Sequence, residues 1–146
     1  MLISRYIFFY QIPFIPELLL KANDFAILKQ LFKTPPMGLT NPQNMTLEDL
    51  EVFLYTFAQS GTPTAAINYY RALVRYPNDE FLSTVTVPVL IIWGCQDRAL
   101  GEELADHSVK CCKNAQLKKI PSASHWVQQD APDEVNKYIE EFVNQK

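Results

Sequence analysis

The run Val89-Leu90-Ile91-Ile92-Trp93 is short, apolar and rich in β-branched side chains, and Pro88 and Gly94 bound it. Such a run reads as a strand buried on both faces of a parallel sheet. Parallel strands need a crossover between them, so the run commits this part of the chain to an α/β arrangement. Asp97 lies just past the strand's C-terminal end, where open α/β sheets place their functional groups. After a helical stretch and a second short strand over residues 116–120, His125 stands in a loop as Ser124-His125-Trp126. A carboxylate at one strand end and an imidazole in the next strand's loop can meet above the sheet. There the carboxylate orients the ring and stabilises its charged form.

Upstream of residue 85 the pattern is helical. Residues 3–10 and 16–22 read as two short amphipathic segments joined by a turn containing Pro13. Asp24 opens a helical run through Phe25, Leu28 and Phe32, and residues 33–45, with Pro35, Pro36, Gly38 and Pro42, form a loop. Thr46 followed by Asp49 has the form of a capping box, with Leu47, Leu50, Leu54 and Phe57 at helix spacing behind it. Thr64 starts another helix that carries Ile67, Tyr70 and Val74 on one face, and residues 77–80 are a polar turn. Pro132–Val143 is the clearest helix. Pro132 suits its first turn, Asp133 and Glu134 favour the dipole there, and Val135, Tyr138, Ile139 and Phe142 form its apolar stripe.

Composition narrows the function classes. Hydrophobic residues make up 48% of the 146 positions and charged residues 20%, which is globular rather than disordered. The net charge of −3 argues against nucleic acid or an anionic membrane surface as the main partner. The apolar N-terminal stretch is interrupted by Pro13 and Pro16 and charged by Glu17, so it lacks the ~20 uninterrupted apolar residues of a spanning helix. Cys95, Cys111 and Cys112 are odd in number and have no metal-ligand spacing, so they read as reduced thiols inside a cell. Cys111 and Cys112 are expected on a helix packed against the sheet. Among the other polar residues, His107 reads as a solvated helix residue.

Trp93-Gly94-x-x-Asp97 and His125-Trp126-x-x-Gln129-Asp130-x-Pro132, in that order, resemble the C-terminal part of the α/β-hydrolase fold. In that family the triad runs nucleophile, acid, histidine along the chain. The likeness is to epoxide hydrolases with a helical lid. It implies that Asp97 is the acid and His125 the histidine. Two lid motifs extend it: Tyr6 in Tyr6-x-x-x-x-Gln11-x-Pro13 and Tyr70 in Asn68-Tyr69-Tyr70-Arg71 match the tyrosines whose hydroxyls hydrogen-bond the epoxide oxygen. Ring opening develops an alkoxide, which a phenol supports by donating a hydrogen bond or a proton. On pattern alone both tyrosines also read as lid-core aromatics, Tyr70 sharing a face with Ile67 and Val74. Tyr10, Tyr55 and Tyr69 match no motif position.

The resemblance implies an incomplete α/β-hydrolase fold, with residues 1–80 as a helical lid region and 81–146 as the C-terminal part of the core. No Asp stands in a Gly-x-Asp-x-Gly-like elbow, no His-Gly-x-Pro loop is present, and only four glycines occur where about ten are usual. The chain is therefore expected to be a fragment, inactive alone for want of its nucleophile. The parent would convert a small hydrophobic epoxide to a diol through an ester intermediate, with no cofactor and no metal. A haloalkane dehalogenase or an esterase of the same fold is the alternative enzyme reading, and a non-catalytic ligand- or partner-binding remnant the other. Strands that lack most of their sheet invite self-association through their edges. The expected location is intracellular, with membrane association open for the parent.

Overall fold

The structure, a computed structural model, describes residues 5–76 and 84–145. It divides into two compact units, Met1–Leu31 with Met45–Phe81 and Phe32–Asn44 with Leu82–Lys146. The turn read over residues 77–80 and the start of the segment read over residues 3–10 lie outside the described residues. Among those described, no helix is long and apolar enough to cross a membrane.

The first unit is helical. Helix α1 (Arg5–Phe9) is followed by the Pro13 turn and by α2 (Ile15–Lys33), whose last residues belong to the second unit. Ala22 leaves the helical region, and Asn23, Asp24 and Phe25 follow with positive φ, so α2 is two helices joined at a kink, and the second helix begins after Phe25 rather than at Asp24 as the pattern indicates. Helix α3 (Leu47–Ala58) carries the expected box: the Thr46 hydroxyl accepts from the Asp49 N–H at 3.1 Å, and the Thr46 N–H donates to the Asp49 carboxylate at 2.9 Å. Helix α4 runs over Thr62–Arg75, two residues earlier than the pattern indicates, because Pro63 suits its first turn. Leu50 and Leu54 of α3 and Pro63 and Ile67 of α4 are buried, whereas Val74 is exposed.

Phe14 marks the turn before α2. Its φ is +65° and the Ile15 N–H donates across it to the Pro13 carbonyl at 2.7 Å, which is the strained form of a three-residue turn. The ring is 78% exposed, so no packing offsets the strain. Left-handed backbone costs an L-residue about 1–2 kcal/mol, and glycine gives back roughly half of that gain through unfolded-chain entropy. Phe14→Gly is expected to stabilise the chain by up to about 1 kcal/mol, read as a higher midpoint in thermal unfolding followed by circular dichroism.

In the second unit, β1 (Val85–Gly94) crosses through α5 (Glu103–Lys110) to β2 (Cys112–Ile120), which lies parallel to it. The short α6 (Val127–Asp130) and then α7 (Pro132–Val143) follow. Ile120, Ala123 and Val135 form the buried centre, with Ile92, Val127, Ala131 and Tyr138 packed against it. Ile139, expected on the apolar stripe of α7, is 45% exposed and turns outward.

The strand Val89–Trp93 corrects one expectation. It is half-buried rather than buried on both faces, because among the described residues β1 pairs on one edge alone, with β2. The cysteines correct another: Cys111 caps α5 and Cys112 opens β2, so the strand begins four residues before its amphipathic part. His107 is exposed on α5.

Candidate active site

Gly94 ends β1 and Ile120 ends β2, paired side by side, so the chain leaves both strands at the same end of the sheet. The two exits are laced together. The Cys95 N–H donates to the Ile120 carbonyl at 3.0 Å, the Gln96 N–H to the Ala123 carbonyl at 2.8 Å, and the Gln96 side chain to the Pro121 carbonyl at 3.1 Å. Gly94 permits this approach, since a Cβ there would overlap the Ser124 carbonyl oxygen and lie 2.6 Å from that of Ala123.

Asp97 and His125 are brought together by this lacing. The Asp97 side chain is only 7% exposed, and its Oδ2 lies 2.9 Å from His125 Nδ1. Its Oδ1 accepts the backbone N–H groups of Ala99 at 2.7 Å and Leu100 at 2.9 Å. An ionised carboxylate can only accept, so Nδ1 carries the ring proton and Nε2 is the nitrogen left to act as base. The imidazole is 30% exposed and edge-on to Trp126, with centroids 5.2 Å apart. A carboxylate fixed by two amides and facing a part-open imidazole can hold one tautomer and support a charged ring.

Tyr6 and Tyr70 also meet, in the first unit. Their rings cross edge to face, 5.4 Å apart at 88°, and Tyr10 joins them, 4.9 Å from Tyr70 and 5.8 Å from Tyr6. Burial, followed by the Tyr6 ring nearby, pushes the Tyr70 hydroxyl above the usual phenol range, and burial does the same for Tyr10. A phenol so held keeps its proton and can donate a hydrogen bond. The arrangement is tied by Arg71, beside Tyr70: its guanidinium donates to the Tyr10 carbonyl at 2.9 Å, to the Ile12 carbonyl at 2.9 Å, and to the Glu17 carboxylate at 2.6 and 3.1 Å. That fork holds the Glu17 carboxyl below its ordinary range. The Gln11 amide donates to the Tyr70 carbonyl at 3.1 Å.

Sequence reasoning gave no role to Tyr10, which matches no motif position, nor to Arg71, which stands only as the last letter of the Tyr70 motif. The run of three aromatic residues before Gln11 was the available hint. Asp130, quoted only as a motif letter, is buried and accepts two backbone amides. The three thiols are free, and burial first, then the Glu102 carboxylate, pushes the Cys95 thiol up, away from a reactive thiolate. Among the described residues no group of three or more His, Cys, Asp or Glu side chains could hold a metal ion.

A comparison with protein-family models finds no match. Whole-sequence comparison does. The chain is 42% identical over 142 residues to Epoxide hydrolase 1 of Caenorhabditis elegans, covering 97% of this chain and 35% of that protein. It is 38% identical over 143 residues to Epoxide hydrolase 2 of the same organism, covering 97% and 40%. The fold superposes on the crystal structure of the Bacillus megaterium epoxide hydrolase in complex with an inhibitor with a TM-score of 0.78 at 24% identity, covering 97% of this chain and 51% of that one. The chain therefore spans well under half the length of these curated relatives. Similar to them along nearly all of its own length, it belongs to the epoxide hydrolase-like branch of the α/β-hydrolase fold and corresponds to the C-terminal part.

Proposed function

We propose that this chain carries the water-activating half of an epoxide hydrolase. The observation that supports it most is the 2.9 Å contact of Asp97 with His125 Nδ1 at the shared end of two parallel strands. In this reading His125, oriented by Asp97, takes a proton from the water that cleaves an ester between a carboxylate nucleophile and the opened epoxide. Tyr6 and Tyr70 donate to the epoxide oxygen as it becomes an alkoxide. Residues 1–80 act as lid and 81–146 as core. The aromatic cluster and the relatives' names favour a small hydrophobic epoxide as substrate, and the free thiols favour an intracellular setting. The second edge of β1, with Val87 exposed, is a template for self-association.

The nucleophile has to come from outside these residues, since no Gly-x-Asp-x-Gly stretch occurs among the 146. The purified chain is therefore expected to leave styrene oxide unhydrolysed in a diol-release assay, because the covalent step is absent rather than slowed. Turnover that His125→Gln abolishes would overturn this reading, since another nucleophile or directly activated water would then be at work.

The tyrosines are tested in a longer protein that contains this chain and the nucleophile. Tyr70→Phe is expected to slow formation of the ester about a hundredfold, the usual effect of losing one oxyanion-type donor. Rapid-quench measurement of alkylated enzyme reads the step. An unchanged rate assigns Tyr70 to packing.

A further inference from the structure

Asp130 is a buried carboxylate that the chemistry above does not use. It is 8% exposed at the end of α6, and each oxygen takes one backbone amide: Oδ2 that of Ser124 at 2.7 Å, Oδ1 that of Asn41 at 2.8 Å. Its own carbonyl accepts the Asn44 side-chain amide at 3.0 Å. A carboxylate is costly to take out of water and persists where hydrogen bonds of this kind compensate. The residue it grips, Ser124, directly precedes His125. On the far side, the Ser124 hydroxyl accepts the Trp126 N–H at 3.2 Å, the Trp126 indole donates to the Met37 carbonyl at 2.8 Å, and its ring lies 4.4 Å from that of Phe32. Both neighbours of His125 are thus anchored, one of them directly by Asp130.

We propose that Asp130 is a positioning residue for His125: it fixes the backbone at Ser124, one residue before the histidine, so that Nδ1 meets Asp97. The proposal rests on the reading of Asp97 and His125 as an acid–histidine pair. Two amides arriving at two oxygens require two acceptors. An asparagine supplies one and turns its NH2 toward the other N–H donor, so the carboxylate is specified by the geometry. The imidazole is held at its ring by Asp97 and at its backbone by this clamp. Loosening the clamp lets the ring swing while Asp97, held by Ala99 and Leu100, stays in place.

The test uses the 146-residue chain labelled with nitrogen-15 and reads the solvent exchange of the His125 Nδ1 proton by NMR. Protection of the β1 and β2 amides reports the fold in the same samples. Asp130→Ala is expected to raise exchange of the Nδ1 proton about tenfold, the scale of one lost hydrogen bond, with the sheet still protected. Asp130→Asn is expected to give a smaller rise in the same direction, and Leu50→Ala, which opens a cavity in the first unit, none. An unchanged Nδ1 rate in Asp130→Ala with the sheet intact overturns the positioning role. Should Asp130→Ala lose the sheet, Asp130→Asn decides by the same criterion. Loss of the sheet in both overturns the proposal in favour of a purely structural clamp. Asp97→Asn separates the two readings: if the Nδ1 proton does not respond to it, the acid–histidine pairing itself is wrong and the proposal falls with it.

Discussion

In a longer protein that contains this chain and a nucleophile, His125→Gln is expected to stop steady diol production while the enzyme still becomes alkylated. The two halves of the proposed reaction ask different things of the site. Opening the epoxide needs a carboxylate to attack and a donor for the oxygen, and the histidine takes no part. Cleaving the ester needs a water stripped of a proton, and in the proposed reaction Nε2 of His125 would be the base that takes it. A general base of this kind is worth about 10²–10⁴ in rate, so its loss makes hydrolysis far slower than ester formation. Intact-protein mass spectrometry after mixing with excess epoxide should show the adduct mass approaching one equivalent and persisting. Asp97→Asn should give the same adduct, because an amide at that place can present an NH2 to Nδ1 and favour the wrong tautomer. If neither variant accumulates an adduct and both still turn over, His125 is not the base and the pair at the strand ends is structural.

Gly94→Ala is expected to damage the second unit more than a methyl group at any other glycine of the chain. The new Cβ would meet the Ser124 and Ala123 carbonyl oxygens, which are backbone and cannot swing aside as a side-chain tip does. Relief requires the loop after β2 to lift, and with it go the Gln96–Ala123 and Cys95–Ile120 hydrogen bonds that lace the two strand exits. Overpacking of this kind costs about 1–3 kcal/mol, and each hydrogen bond lost with it roughly 1 kcal/mol more, so a total near or above 3 kcal/mol is expected. That is a large share of the stability of a small unit. The measurement is the urea midpoint of the chain with sheet amide protection alongside. A midpoint within error of the parent would show that the loop after β2 has room the structure does not show.

The strand ends were legible because they are written in local chemistry. An apolar run closed by proline and glycine, an Asp just beyond, and a His in a serine-flanked loop need no knowledge of partners to be placed. The capping box at Thr46 was legible for the same reason, and so was a break near Asp24, although the chain resumes its helix only after Phe25. Burial was not. Val89–Trp93 reads like a strand enclosed on both faces, and enclosure depends on neighbours that a strand's own residues do not encode. The boundary at Cys112 was missed because Cys, Lys and Asn carry no strand signal, and pairing with β1 extends the strand through them. Tyr10, Arg71 and Asp130 were missed because each acts on backbone or rings distant in sequence, and only the folded chain brings those within reach.

The pairing of Gly94 with Ile120 makes strand register and chemistry one variable. Asp97 stands three residues past one strand and His125 five past the other, and their contact closes at 2.9 Å. A slip of β2 by a single residue would carry the histidine loop about 3.3 Å along the sheet and turn its side chains to the opposite face. No rotamer of either residue recovers a hydrogen bond across that error. The Asp97–His125 contact is therefore a gauge of alignment: wherever it is made, the two strands have found each other in the right phase.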